Sequence, residues 1–210
     1  MKAVIFGGVP IKNHEFARDY LKGNPVCICC DGGVFHAKAL GISPDYILGD
    51  FDSLPPEVLG EYEGRAKILR FPAEKDETDM ELGMGLALEL GAEEIVILGA
   101  LGGRFDHTLG NCHLLLRALG SGMDAVMADE KNSIRAFSGE LTILGATGDM
   151  VSLIPAAGDA LGVTTWGLKY PLSEANLSYH ELRGISNVML SDTCRVRVRK
   201  GVLFAVKSKD

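Results

Sequence analysis

The sequence predicts an α/β protein: a mainly parallel, Rossmann-like sheet with flanking helices, followed by an all-β sandwich. Three observations lead there. Up to about residue 130, short apolar runs bounded by Gly, Pro or Asp alternate with helix-like stretches, the pattern of a parallel sheet covered on both faces. Beyond that point strand-like runs follow one another through turns, with no helical period. The 210 residues are 47% hydrophobic and 23% charged, enough core material for either one large domain or two small ones. We expect domains at 1–130 and 131–210, with no flexible linker between them.

In order, the predicted strands of the first part are Ala3–Phe6, Val26–Cys30, Tyr46–Leu48, Lys67–Arg70, Glu94–Leu98 and Ala125–Ala128. Between them fall helices over roughly Asn13–Lys22, Val34–Leu40, Pro56–Tyr62, Thr78–Leu90 and Asp106–Leu119. The helix from Thr78 carries the clearest signals. Leu82, Leu86 and Leu90 recur every four residues, Thr78 with Glu81 fits a capping box, and Gly91 follows as a stop. The second part offers Ser133–Phe137, Leu141–Leu144, Met150–Ile154, Gly162–Trp166, Leu168–Leu172, Asn187–Leu190, Cys194–Val198 and Val202–Val206. Arg195-Val196-Arg197-Val198-Arg199 alternates as a half-exposed strand should.

Composition excludes several function classes. A net charge of −7 and a pI of about 5.3 argue against a nucleic-acid partner, which needs a basic footprint. No apolar run reaches the roughly 18 residues of a membrane span, and the start reads as a first strand rather than a signal peptide. We therefore expect no membrane partner and a cytoplasmic protein. Cys27 and Cys30 form a C-x-x-C, but zinc would want a second pair, and Cys112 and Cys194 are isolated. Buried thiols in an apolar strand are the expected reading, with a redox pair as the alternative.

Open parallel sheets bind ligands at the carboxyl ends of their strands, and the polar motifs fall at those ends. After Tyr46–Leu48 comes Gly49-Asp50-Phe51-Asp52-Ser53. In extended backbone, Asp50 and Asp52 would point the same way, and two converging carboxylates call for a cation between them. A hard ion such as Mg²⁺ suits oxygen ligands and phosphate. A capped turn is the plainer alternative. After Val26–Cys30 comes Asp31-Gly32-Gly33, a common turn whose glycines would also let backbone N–H groups approach a ligand. After Lys67–Arg70, Lys75-Asp76-Glu77-Thr78-Asp79 mixes acids for a cation with a Lys for phosphate, at a helix start that favours anions. After Glu94–Leu98, Gly102-Gly103-Arg104-Phe105-Asp106-His107 supplies glycines and an Arg able to fork onto phosphate oxygens. It is not a Walker A loop. Trp166 and Tyr170 take burial as the default, and Ser186-Asn187 reads as a turn. His14, His36, His113 and His180 stand in no motif.

These motifs, with Gly167-Leu168-Lys169-Tyr170-Pro171-Leu172 and Ser186-Asn187, occur in an order that resembles the thiamine pyrophosphokinase family over essentially the whole chain. The resemblance implies a nucleotide-binding catalytic domain at 1–130 and a β-sandwich at 131–210 for thiamine binding and dimerisation. It implies pyrophosphoryl transfer from ATP to the hydroxyl of thiamine, giving thiamine diphosphate and AMP, by a Mg²⁺-dependent homodimer. Carried over by motif, Asp50, Asp52 and Asp79 would hold metal. Asp31, Ser53, Lys75, Thr78, His107 and Asn111 would lie on the ATP side, with Tyr170 and Ser186 on the thiamine side. Arg104, Asp76 and Asp106 would act on the reacting groups, either Asp being a candidate to accept the hydroxyl proton. Two other classes stay open from the residues alone: a non-catalytic nucleotide sensor and a Mg²⁺-dependent phosphohydrolase.

Overall fold

The computed structural model describes residues 1–209, which fall into two compact units, Met1–Glu130 and the chain from Lys131 onward. The first unit runs β1 (Lys2–Phe6), α1 (Glu15–Tyr20), β2 (Val26–Cys30), a 3₁₀ turn (Asp31–Gly33), α2 (Val34–Leu40), β3 (Tyr46–Gly49), α3 (Pro56–Gly60), β4 (Lys67–Arg70), α4 (Asp79–Glu89), β5 (Glu94–Leu98), α5 (Phe105–Gly120) and β6 (Asp124–Ala128). All six strands pair in parallel, in the order β6-β5-β1-β2-β3-β4. The chain steps outward from β1 through β4, then crosses back to lay β5 on the other side of β1. The strand order therefore reverses between β1 and β5.

Runs such as Ala3-Val4-Ile5-Phe6 and Ile95-Val96-Ile97-Leu98 are apolar at every position because both faces of the sheet are covered, and each of these side chains is fully buried. On one face Phe6, Val34, Ala37, Ile47, Val58 and Tyr62 form a continuous core. On α4 the expected leucine stripe is only half-buried. The buried face is Gly83, Met84 and Ala87, since a Cβ on Gly83 would come within 2.5 Å of Cys30 Sγ and 3.2 Å of Ile5 Cγ2. Close approach of helix to sheet decided that rotation, and the leucines took its flanks. The capping box is present: Glu81 N–H donates to Thr78 Oγ1 at 3.2 Å and Thr78 N–H to Glu81 Oε2 at 2.9 Å. α1 is shorter than expected, six residues from Glu15.

The second unit is antiparallel: β7 (Asn132–Leu144), β8 (Met150–Pro155), β9 (Ala160–Trp166), β10 (Ala175–Leu177), β11 (Asn187–Val188) and β12 (Thr193–Ser208). β12 pairs with β7 along its length, with β9 through its first half and with β8 through its second. Phe137, Val151, Leu153, Val163, Val196, Val198 and Leu203 close the core. Two pairs of predicted strands prove to be single long ones. Gly139 and Gly201, at φ +78° and +107°, sit where the β7–β12 register slips, so the glycines bend a continuous ladder instead of ending it. Leu168–Leu172 is not a strand. Gly167 turns the chain, Leu168 makes one bridge to Met189, and Leu172 folds back so that its N–H donates to Thr165 Oγ1 at 2.8 Å. The pattern of β10 was too short to be seen in the sequence.

Candidate active site

Five loops leave the carboxyl ends of β1 to β5. The crevice between the β1 and β5 loops lies at the reversal of strand order, where open α/β sheets take their ligands. Residues 7–10, 31–33, 50–54, 71–78 and 99–104 make this rim, and every site residue predicted for the first unit stands on it or on the opening turns of α4 and α5.

The β2 and β3 loops are joined by Ser53, whose hydroxyl donates to Asp31 Oδ2 at 2.6 Å. Asp31 adopts φ +45°, a conformation uncommon for a side-chain-bearing residue. Its other oxygen, Oδ1, is buried without a hydrogen-bond partner. The extended Asp50–Asp52 geometry is not found. Phe51 takes φ +64° and buries its ring, so the chain turns between the two acids, and Asp50 Oδ1 instead accepts the Asp52 N–H at 3.0 Å. Asp50 is half-buried and Asp52 exposed.

At the start of α4 the Asp79 carboxylate is also partly orphaned. Lys75 Nζ makes an ion pair with Asp79 Oδ1 at 3.1 Å, but that buried oxygen accepts no hydrogen bond, and Nζ donates to Pro72 O at 3.2 Å. Asp76 is exposed. The charges of Asp79 and Asp31 both bear on Cys30, whose thiol is pushed well up, first by burial and then by these two carboxylates. Among the described residues, no three His, Cys, Asp or Glu side chains gather closely enough to hold a metal ion. Asp50, Asp52 and Asp79 therefore do not form a ready-made ligand set. What the rim does offer is two buried carboxylate oxygens that accept no hydrogen bond, Asp31 Oδ1 and Asp79 Oδ1, the second facing the Lys75 ammonium, and such oxygens are what a hard cation binds.

Arg104 caps α5, and its guanidinium forks onto the Asp106 carboxylate at 2.5 and 3.2 Å. Asp106 Oδ1 also accepts the His107 N–H at 3.0 Å. The Arg104 hydrogen bond holds the Asp106 carboxyl at a pKa of about 2, so it stays ionised and is a weak base. Asn111 is buried, and its amide donates to Ala100 O at 3.0 Å, tying α5 to the β5 loop. Thr78, Asp106, His107 and Asn111 share a cavity of about 490 Å³ with Glu81 and Arg117.

In the second unit Tyr170 and Ser186 line one cavity of about 410 Å³, with Leu153, Leu172, Arg183 and Asn187. Burial fails as the default for the aromatics: Tyr170 is 59% exposed, and Trp166 stacks under Arg195, 4.2 Å from its guanidinium carbon. Ser186 takes φ +61°, and its N–H donates to Ser152 Oγ at 3.0 Å.

Two groups make contacts that the sequence did not assign to them. Asn187 binds the backbone of Tyr170 with both ends of its amide, and His36 is buried behind the β1 loop, hydrogen-bonded to His14 and to Val9 O. An Asn after a turn residue is a weak signal. His36 had none. The five cysteines are free, four buried and Cys112 half-buried, in keeping with the apolar-strand reading.

Residues 17–127 match the family model described as thiamin pyrophosphokinase, catalytic domain, and residues 140–203 the one described as thiamin pyrophosphokinase, vitamin B1 binding domain. The chain is 32% identical over 194 residues to the thiamine pyrophosphokinase of Bacillus subtilis, covering 91% of each protein. It is 32% identical over 179 residues to thiamine pyrophosphokinase 1 of Oryza sativa subsp. japonica, covering 80% of this chain and 67% of that one. Its fold superposes on the crystal structures of the thiamine pyrophosphokinase from Bacillus subtilis (TM-score 0.91, 28% identity, all of both chains) and of that from Geobacillus thermodenitrificans (0.84, 29%, 100% and 98%). The matches span both units, in the order that the motifs predict, and the chain belongs to the thiamine pyrophosphokinase family of enzymes.

Proposed function

We propose that the chain transfers the pyrophosphoryl group of ATP to the hydroxyl of thiamine, releasing AMP, as a Mg²⁺-dependent, cytoplasmic homodimer. Residues 1–130 bind the nucleotide and carry the chemistry; residues 131–210 bind thiamine and dimerise. The observation that carries this reading is the pair of buried carboxylate oxygens on Asp31 and Asp79 that accept no hydrogen bond, set at the end of β2 and the start of α4 on the ligand rim, with the Lys75 ammonium beside the second. A rim of that kind answers a cation–polyphosphate ligand, and the match of residues 140–203 to a vitamin B1 binding domain names the acceptor. A sensor or a hydrolase leaves that second match without a role, so neither is favoured.

Asp79, Asp50 and Asp52 are the residues that would hold Mg²⁺ together with the nucleotide. When bound, Mg²⁺ neutralises charge on the transferring group. The rest is the work of this chain's side chains. Ser53 fixes Asp31 in its turn. Thr78 opens α4, whose free N–H groups favour phosphate, with Lys75 beside it. Asp106 aims the Arg104 guanidinium, which offsets charge on the transferring oxygens. Because Asp106 is tied to Arg104, the exposed Asp76 is the better acceptor for the thiamine hydroxyl proton. His107 and Asn111 shape the ATP side at α5, and Tyr170 with Ser186 contacts thiamine, whose cationic ring suits an aromatic face.

The test is direct. Protein, ATP, MgCl₂ and thiamine should yield AMP and thiamine diphosphate in equal amounts, and omission of thiamine should stop AMP formation. Phosphate or pyrophosphate released at the same rate without thiamine overturns the reading.

A further inference from the structure

His36 is almost fully buried on α2, 5% exposed, and takes no part in the chemistry above. Its Nε2 lies 2.9 Å from Val9 O and its Nδ1 lies 3.1 Å from His14 Nε2. These contacts fix the tautomer. A carbonyl oxygen only accepts, so Nε2 carries the proton. Burial favours the neutral ring, which leaves Nδ1 bare as an acceptor for the His14 Nε2–H. The result is a directed chain, His14 to His36 to the backbone at Val9.

Val9 belongs to the loop that ends β1 at the reversal of strand order. On the β5 side, Gly7 N–H donates to Leu98 O at 2.8 Å and Val9 N–H to Gly99 O at 2.9 Å. The His36 ring sits against the same place: a Cβ on Gly99 would fall 3.0 Å from His36 Nε2 and 2.5 Å from Gly7 O. On the β2 side, a Cβ on Gly8 would meet Gly32 Cα at 3.6 Å. The exposed Gly8 is thus held between the β2 and β5 loops, at the mouth of the crevice. Within this loop it is the Val9 carbonyl that takes the His36 Nε2–H.

We propose that His36, oriented by His14, is a positioning residue that holds the Gly7-Gly8-Val9 loop in place to receive the phosphates of the nucleotide. The inference rests on the nucleotide site proposed above. It assigns His36 an effect on nucleotide affinity, and none on thiamine affinity or on the chemical step.

The experiment compares His36→Leu, which keeps volume but loses the donor, with His36→Gln, whose amide can still donate to Val9 O. Steady-state KM for ATP and for thiamine, kcat, and calorimetric binding of Mg²⁺–ATP are measured alongside melting temperature. His36→Leu should raise KM for ATP and the calorimetric Kd by about tenfold, the scale of one lost buried hydrogen bond. KM for thiamine and kcat at saturating ATP should stay near wild type, and His36→Gln should recover most of the affinity. Should His36→Leu not fold, His14→Leu, which removes only the orienting partner, should give a smaller shift in the same direction. A folded His36→Leu protein that binds Mg²⁺–ATP like wild type, or a His36→Gln protein as weak as His36→Leu, overturns the assignment. If wild type binds Mg²⁺–ATP but forms no thiamine diphosphate, the proposed reaction fails, and the binding comparison still decides the role of His36.

Discussion

The Asn187 side chain grips the backbone of Tyr170 from both sides: Oδ1 accepts the Tyr170 N–H at 3.0 Å, and Nδ2 donates to the Tyr170 carbonyl at 2.7 Å. One amide thereby joins the 167–172 loop to the 183–188 segment, which together wall the cavity of Tyr170 and Ser186. Asn187→Ala should raise KM for thiamine by about tenfold, the effect of losing two such bonds in a half-exposed setting, while KM for ATP holds. Steady-state kinetics with each substrate varied in turn will check this.

Gly83 and Gly85 lie two positions apart on α4 and should respond oppositely to alanine. At Gly83 the new Cβ would press on Cys30 and Ile5, which should cost about 1–3 kcal/mol of stability. At Gly85 the nearest atom is the end of Arg117 at 3.9 Å, so Gly85→Ala should gain up to about 1 kcal/mol of helix propensity. Urea unfolding of the two variants measures both.

Asp52→Asn and Asp79→Asn should each lower Mg²⁺-dependent turnover by about a hundredfold or more, since even groups that merely support metal ligands cost 10–100-fold when removed. Both proteins should remain folded. Added Mg²⁺–ATP should raise the melting temperature of wild type and fail to raise that of Asp79→Asn. A folded Asp52→Asn enzyme with normal turnover would remove Asp52 from the metal set.

Burial holds the His36 pKa below its ordinary value, against smaller opposing pulls from hydrogen bonding to the Val9 and Gly7 backbone, with the His14 charge lowering and the Glu130 carboxylate raising it. The sign follows. Below about pH 6.5 the unfolded chain binds a proton at this residue that the folded chain refuses, so stability falls as pH drops through that value. The slope from one such group cannot exceed about 1.4 kcal/mol per pH unit. His36→Gln should flatten the pH dependence of urea unfolding between pH 7.5 and 5.5.

Much of the fold was legible because the strands of the first unit are fully buried and their ends are punctuated by Gly, Pro and Asp. Val26–Cys30, Lys67–Arg70 and Glu94–Leu98 have the predicted bounds. What sequence concealed were effects of tertiary packing. Two glycines in the second unit bend strands that look interrupted, and the near contact of Gly83 with Cys30 turns α4 away from its leucine stripe. At the site, motif order located the rim, but the fine geometry was set by backbone conformations that pattern does not report. Phe51 in the left-handed region separated two acids that an extended chain would align. Asn187 and His36 act through backbone carbonyls and amides, partners that no residue spacing reveals.

β12 borders β7, β8 and β9 at once, so three earlier strands share one late partner. During synthesis the first unit has all its strands outside the ribosome while residues 193–208 are still to come, and it can fold ahead of its neighbour. Until that last strand arrives, β7, β8 and β9 present open edges, a state that invites aggregation. A nascent chain stalled before residue 193 should therefore resist protease across the first unit and be cut readily beyond it.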